Sequence, residues 1–371
     1  FNIFKKFDLV DMTIPIVYSN NHYLKNYKDL IKELKTYRTL KTDIENFLPK
    51  LNFKGKKKLF YILKKFGFIK GESYYKNKNK KIVTKKLKEQ KFTLFHPTYY
   101  DDYFLKYISN KPFVITVHDM IHEIFSDKFP QLKDNTSIVK KRLALKASKI
   151  IAVSNNTKND IIRLYGIDES KIKVIYHATS ISVDKNIDPL TLNLPKRYIL
   201  FIGDRSNYKN FYFFLHSITP LLREDKDLYL VLGGGKDLSS EEIFFLKGNY
   251  VEDKIIQKFV NDTTLGHLYA NAICFVFPSL YEGFGIPILE AFTCGCPVVL
   301  SNTSCFPEIA EDSALFFDPY SENSIRLTVE KFVYDESLRE EFIKKGYERV
   351  KKFSWQKTAV ETAMVYESLN N

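Results

Sequence analysis

From about residue 92 onward the chain repeats one pattern. A short apolar run ends in polar or glycine residues, and a stretch with helical spacing follows. The runs are Phe92–Phe95, Phe113–Val117, Lys149–Val153, Ile172–Tyr176, Tyr198–Ile202, Leu228–Leu232, Ile273–Phe277 and Pro297–Leu300. Each is too short for a helix and is read as a strand. Lys158–Tyr165 and Tyr212–Leu222 are among the amphipathic stretches between them. Strands alternating with helices predict parallel sheets covered on both faces, joined by right-handed crossovers. The fold class is therefore α/β, built from Rossmann-like domains. Asp184–Pro195 interrupts the pattern: it is polar, has two prolines and lacks periodicity. It is read as a linker, with one domain over 1–188 and the next beginning at 189.

Composition changes this picture in two places. The chain has 371 residues, enough for two or three domains, and no run approaches the ~18 apolar residues of a membrane span. It opens on Phe1 without a signal-peptide pattern, and residues 1–8 read like the end of a helix with no strand before it. Either the first strand of this domain, with any glycine-rich turn after it, is missing from this chain, or the domain starts differently. The net charge of +13 is concentrated: residues 54–91 hold 15 Lys and 2 Glu, so the rest of the chain is neutral. A cationic segment of this kind attracts anionic lipid, nucleic acid or a pyrophosphate substrate. Phe60, Tyr61, Leu63, Phe66, Phe68 and Ile69 among its lysines suit an amphipathic surface helix, and a plain solvated insertion is the alternative. Four cysteines, two of them at Cys294 and Cys296, fit neither a disulfide framework nor zinc-knuckle spacing.

Ligands of open parallel sheets bind beyond the carboxyl ends of the strands. The residues there include His96, His118–Asp119, Ser154–Asn155, His177, Gly203–Lys209, Gly233–Gly235 and Ser279–Gly285. Gly203–Asn210 brings Arg205 and Lys209 to the start of a helix, where amide N–H groups and the helix dipole add to their charge. That suits a diphosphate; a solvated surface turn is the bland reading. In Glu282-Gly283-Phe284-Gly285-Ile286-Pro287-Ile288-Leu289-Glu290 the glycines permit close backbone approach, and Pro287 suits a first helical turn. Glu282 in the loop and Glu290 on the helix both face the crevice, as carboxylate acceptors for a polyol would. His118 and His122 have the spacing of a zinc helix, but His118 directly follows a strand, so no metal is expected there. Asp225-Lys226-Asp227 precedes a strand and reads as a solvated turn.

Together these blocks resemble the retaining glycosyltransferases of family 4, which have the GT-B fold. SLYEGFGIPILEA (279–291) is similar to the family's Glu-x(7)-Glu motif, and FIGDRSNYKNF (201–211) to its diphosphate turn. FHPTYYDDYF (95–104), VITVHDMIHE (114–123) and IIAVSNNTKNDI (150–161) resemble successive blocks of the first domain, and FSW (353–355) the motif before the last helix. The resemblance implies two Rossmann-like domains with parallel sheets facing a central cleft. It implies an acceptor-side domain over 1–188, a nucleotide-sugar domain over 189–355, and a helix over 356–371 crossing back to the first.

By position in those motifs, Glu282 with Gly283, Phe284 and Gly285 would hold the donor sugar and Glu290 the ribose. Arg205 and Lys209 would bind the diphosphate, with Val260 and Leu265 near the base. His118 would face the reacting sugar; Asp119, His96 and Tyr99 would line the acceptor side. Arg205 and Lys209 oppose the charge that builds on the leaving diphosphate, so neither metal nor other cofactor is expected. The implied enzyme is a metal-independent hexosyltransferase of surface-polysaccharide biosynthesis. The style of the blocks favours GDP-mannose over UDP-sugars as donor, and the acceptor is a glycan or lipid-linked saccharide. The expected place is the cytoplasm, at the inner face of the plasma membrane through 54–91. The rivals are a non-catalytic GT-B glycan-binding or partner subunit, another GT-B enzyme such as an epimerase or phosphorylase, and a nucleic-acid binder resting on 54–91 alone.

Overall fold

The structure is a computed structural model and describes residues 72–184, 186, 189–205 and 207–369. The readings of residues 1–8 and of the lysine-rich residues 54–71 lie outside these. The chain divides into two compact units. The smaller comprises, among described residues, 72–97, 101–114 and 363–369; the larger comprises 98–100 and 115–362.

In the smaller unit helix α1 (Glu72–Lys88) buries Val83 and Leu87. The predicted strand Phe92–Phe95 does not form: only Phe95 makes a parallel bridge, to Phe113. Its carbonyl accepts from the Val114 amide at 3.0 Å, and its ring packs on Phe104 at 4.8 Å. Strand β1 (Val114–Val117) begins there and continues into the larger unit.

The larger unit contains two sheets. The first has the order β1-β2-β3, with β2 at Lys149–Ala152 and β3 at Ile172–Val174, the last two parallel. Helices α2 (Ile121–Phe125), α3 (Thr136–Lys146) and α4 (Asn155–Tyr165) connect its strands. Ser154 starts α4, its hydroxyl accepting from the Thr157 amide at 3.0 Å as an N-cap does.

The second sheet is parallel throughout, with the order β6-β5-β4-β7-β8-β9. The strands are β4 (Tyr198–Ile202), β5 (Tyr229–Gly233), β6 (Ile255–Lys258), β7 (Cys274–Phe277), β8 (Val298–Ser301) and β9 (Leu315–Phe317). Alternation along them fills both faces. Tyr198, Leu200, Phe275, Phe277, Val298 and Leu300 face one apolar cluster; Ile199, Phe201, Leu230, Leu232, Val276 and Val299 face another. Helix α5 (Phe211–Glu224) covers the second face with Phe211, Phe214, Leu215, Ile218, Leu221 and Leu222, a stripe at helical spacing. Helix α6 (Ile286–Thr293) covers the first face with Ile288, Leu289 and Phe292. The strand order reverses between β4 and β7, which makes the crevice at their carboxyl ends the topological switch point.

Of the predicted strands, those from 113 to 300 occur within two residues of their expected ends. Two edge strands, β6 and β9, are additions. Helix α7 (Trp355–Glu367) begins in the larger unit, and its residues from Ala363 belong to the smaller.

Candidate active site

Two loops meet at the switch point, one after β4 and one after β7. The Leu280 amide donates to the Tyr208 carbonyl at 2.7 Å and ties them together. Lys209 Nζ lies 2.6 Å from Glu282 Oε1, and the ammonium also sits over the Phe277 ring at 5.5 Å. Burial raises the Glu282 pKa above the ordinary carboxylate value, with the Lys209 charge pulling the other way and Asp119 adding to the rise.

Arg205 is pinned on three sides. Its Nε is 2.8 Å from Glu242 Oε1, and its Nη2 donates to the Lys236 and Asp237 carbonyls at 2.7 and 3.0 Å. Glu242 is itself fixed as the third residue of a capping box with Ser239. Arg205 Nη1 is buried with no hydrogen-bond partner. It faces Gly235, where a Cβ would stand 2.9 Å from Nη1 and 2.8 Å from the Gly203 carbonyl oxygen. Only glycine fits there. The arrangement leaves a buried N–H donor without a protein acceptor, which is costly unless a ligand supplies one.

Val260 closes the same corner: its methyls would stand 3.4 Å from a Cβ on Gly233 or Gly234. Val260 and Leu265 are partly buried against the core. Gly285 directly precedes α6, and Pro287 lies in its first turn. Glu290 accepts from the Tyr269 hydroxyl at 3.0 Å.

The loop after β1 comes up against the loop after β7. A Cβ on Gly283 would fall 1.6 Å from the His118 carbonyl oxygen and 3.1 Å from Asp119 Cα, so no other residue fits. The Gly283 carbonyl accepts from Ser154 Oγ at 2.6 Å and from Thr157 Oγ1 at 3.2 Å. His118 stacks on His177 with ring centres 5.8 Å apart, and His177 meets Phe284 edge-on at 5.4 Å and Trp355 at 5.7 Å. Burial pushes the pKa of both imidazoles down, that of His177 to about 4. Both rings are therefore neutral at pH 7. The Asp119 side chain accepts from the Ile121 amide at 3.0 Å. Beneath it, the fully buried Lys140 donates to the Asp119 carbonyl at 2.8 Å and lies 2.9 Å from Glu123 Oε2.

The structure thus brings together His118, Asp119, Lys209, Glu282, Gly283 and Phe284, and sets Arg205 beside Gly203 and Gly235. Two predicted acceptor-side residues are not among these. His96 belongs to the smaller unit, its Nδ1 2.7 Å from the Tyr366 hydroxyl. Tyr99 is exposed; its neighbour Tyr100 is the one that reaches the site, its hydroxyl accepting from the His118 amide at 3.0 Å. Asp225 is not the solvated turn residue expected: Arg197 grips both its oxygens at 2.9 and 3.1 Å. His122 lies 3.7 Å from Asp134, on a different element from His118, and the four thiols are buried and free. Among the described residues no three potential metal ligands cluster.

Sequence reasoning gave no role to Lys140 or Glu308, both central to this region. Lys140 stands in a helix with three other basic residues, and nothing in the pattern marks it as the buried one. Glu308 lies eight residues beyond the predicted strand Pro297–Leu300, too far for the strand end to mark it.

Two family models match the chain in series, Glycosyltransferase Family 4 over residues 55–182 and Glycosyl transferases group 1 over 182–349. The O-antigen chain mannosyltransferase B of Escherichia coli is 32% identical over 269 residues, 69% of this chain and 70% of that protein. The O-antigen chain mannosyltransferase RfbU of Salmonella typhimurium is 29% identical over 215 residues, 57% of this chain and 58% of that one. Among solved structures, sucrose-phosphate synthase from Thermosynechococcus elongatus superposes with a TM-score of 0.66 at 21% identity, covering 91% of this chain and 83% of that one. A glycosyltransferase from Rickettsia africae superposes with a TM-score of 0.64 at 17% identity, covering 99% and 93%.

Proposed function

The chain belongs to the family 4 glycosyltransferases of the GT-B fold, and from that premise we propose that it is a retaining hexosyltransferase. Its donor is GDP-mannose in preference to a UDP-sugar, and its acceptor is a glycan or lipid-linked saccharide in polysaccharide assembly. The mannosyltransferase relatives support the donor choice. The observation that carries the reading is the charge arrangement at the switch point. Lys209 and the unpartnered Nη1 of Arg205 stand at one wall, and the neutral His118–His177 pair stands beside the glycine loop.

Breaking the bond between the sugar's anomeric carbon and the diphosphate leaves the electron pair on the diphosphate. Lys209 and Arg205 are fixed before that charge appears, so they stabilise it without reorganising. Their charge serves where other sugar transferases use a metal, so transfer proceeds without one. Electron deficiency on the sugar is met by Glu282, and the neutral His118 donates or accepts at a sugar hydroxyl without adding positive charge. The acceptor oxygen bonds to the anomeric carbon on the face the diphosphate leaves, and its proton passes to the departing phosphate oxygen. Glu290, oriented by Tyr269, takes the ribose hydroxyls. The lysine-rich segment brings the enzyme to an anionic membrane face on the cytoplasmic side.

Thermal melting with GDP, UDP, ADP and CDP, without added metal, tests this reading. A ligand at 100 times its Kd adds about 2.7 kcal/mol, a shift of several degrees. One nucleotide, expected to be GDP, raises the melting temperature, and Glu290→Ala removes the shift. No shift with any of the four would overturn the donor-site assignment.

A further inference from the structure

We propose that Glu308 is a positioning residue for transfer: the segment Ser304–Glu308 holds the Glu282 loop at one end and the first sheet at the other. It thereby sets the register between Glu282 and the His118–His177 pair. The proposal rests on the donor-site reading of Glu282 given above.

One end of the segment grips Glu282 by its backbone. Ser304 Oγ accepts from the Glu282 amide at 3.2 Å and donates to the Glu282 carbonyl at 2.7 Å; the Cys305 thiol donates to the same carbonyl at 3.2 Å. Ser304 holds φ at +56°, a conformation that disfavours non-glycine residues and persists only where surroundings enforce it.

The other end grips the first sheet through one carboxylate. Glu308 Oε1 accepts from the Asn155 amide at 2.7 Å, from Asn155 Nδ2 at 2.9 Å and from the Tyr176 hydroxyl at 2.8 Å. Its Oε2 accepts from the Asn156 amide at 3.1 Å. The two amides open helix α4, so the carboxylate is met by N–H groups at the positive end of a helix, a charge-assisted arrangement. Tyr176 directly precedes His177, which stacks on His118.

The clamp is also braced from behind. Arg349 donates through Nε to the Ile309 carbonyl and through Nη2 to the Glu308 carbonyl, both at 2.7 Å, and its Nη1 lies 2.7 Å from Glu311. Four donors converge on Glu308 while its backbone is held by a buried guanidinium. Rigid spacing of this kind matters to a reaction whose parts come from two sheets, since a displacement of about 1 Å costs on the order of 10²-fold in rate.

Glu308→Gln keeps the side chain's size but turns an NH2 toward N–H donors; Tyr176→Phe removes one of the four donors and leaves the carboxylate. Three quantities are measured on the full chain. They are the release of GDP from GDP-mannose and of UDP from UDP-glucose, nucleoside diphosphate affinity by calorimetry, and amide hydrogen exchange at Asn156 and Glu282. In Glu308→Gln, kcat falls at least tenfold while nucleotide Kd stays within threefold. Exchange accelerates at both amides and not in β4 or β7. Tyr176→Phe shifts the same quantities less. Unchanged kcat, or a loss of nucleotide affinity equal to the loss of kcat, overturns the proposal. If the native protein binds no nucleotide and releases none, the donor reading fails. The exchange data then decide alone: acceleration at Glu282 in Glu308→Gln upholds the clamp, and its absence overturns it.

Discussion

The Lys209 ammonium does two things at 2.6 Å from Glu282. It opposes the protonation that burial favours at this carboxylate, and it presents a cation to the crevice. Burial already raises the proton affinity of Glu282, and Lys209 is the largest opposing influence. Lys209→Ala removes that opposition, so Glu282 takes up a proton at a higher pH than in the native enzyme. Turnover at neutral pH is expected to fall about 10²–10³-fold, as for loss of one preorganised charge-stabilising group. Donor KM should change less, because the group acts most strongly on charge developed in the transition state. The pH–rate profile separates the two jobs: its acid limb should move to higher pH in Lys209→Ala. A lower rate with an unmoved acid limb would show that Lys209 acts only on the donor. The meeting of Lys209 with Glu282 was legible because a strand end and motif spacing marked the two. The direction Arg205 takes was not legible. Its guanidinium is set by Glu242 and two carbonyls that arrive from the loop after β5, more than 30 residues away.

At the scale of elements, the tie between α2 and α3 is ionic. Lys140 of α3 is fully buried, 2.9 Å from Glu123 of α2, and its ammonium lies over the Tyr100 ring at 5.2 Å. The other Glu123 oxygen accepts from Tyr165 of α4 at 2.6 Å. Removing one member leaves the other charge buried and uncompensated, at a cost of about 3–5 kcal/mol. Lys140→Met should therefore destabilise the protein by that order, and Glu123→Gln in addition should cost far less than its single effect. Denaturant unfolding of the two single variants and the double variant gives the coupling. Additivity within about 0.5 kcal/mol would show that the pair is not a unit. The elements themselves were legible to unequal degrees, for reasons visible in their burial. β4 reads plainly because Tyr198–Phe201 is wholly buried on both faces. β6 is half-buried at a sheet edge and spells Ile-Ile-Gln-Lys, with too little apolar alternation to separate it from a loop. β9 is a three-residue edge strand following a turn, shorter than any pattern can resolve. Phe92–Phe95 failed in the opposite sense: only Phe95 finds a backbone partner, and its ring packs on Phe104.

For the whole molecule the informative quantity is where charge lies. The net +13 resides in 54–91, and composition alone revealed that; what the segment does with it depends on which lysines the fold consumes. Within α1, Lys80 is engaged, 3.0 Å from Asp101 and 4.6 Å over the Tyr103 ring, and Lys88 lies over Tyr107 at 5.4 Å. Val83 and Leu87 face inward, and Lys81, Lys85 and Lys78, the last over the Tyr74 ring at 5.8 Å, stand on exposed positions of the helix. Each lysine near an anionic bilayer contributes about 1 kcal/mol at physiological salt, falling off within a Debye length of roughly 8 Å. Replacing Lys78, Lys81 and Lys85 together by Glu removes three attractions and adds three repulsions without touching Val83, Leu87 or Lys80. Cosedimentation with phosphatidylglycerol-containing vesicles should fall by about 10²-fold or more in that variant, and native binding should weaken steeply as salt rises. Melting temperature and nucleotide binding should stay at native values, since none of the three lysines belongs to the larger unit. Equal binding to purely phosphatidylcholine vesicles, or undiminished binding by the triple variant, would show that these lysines solvate the surface and do not anchor it.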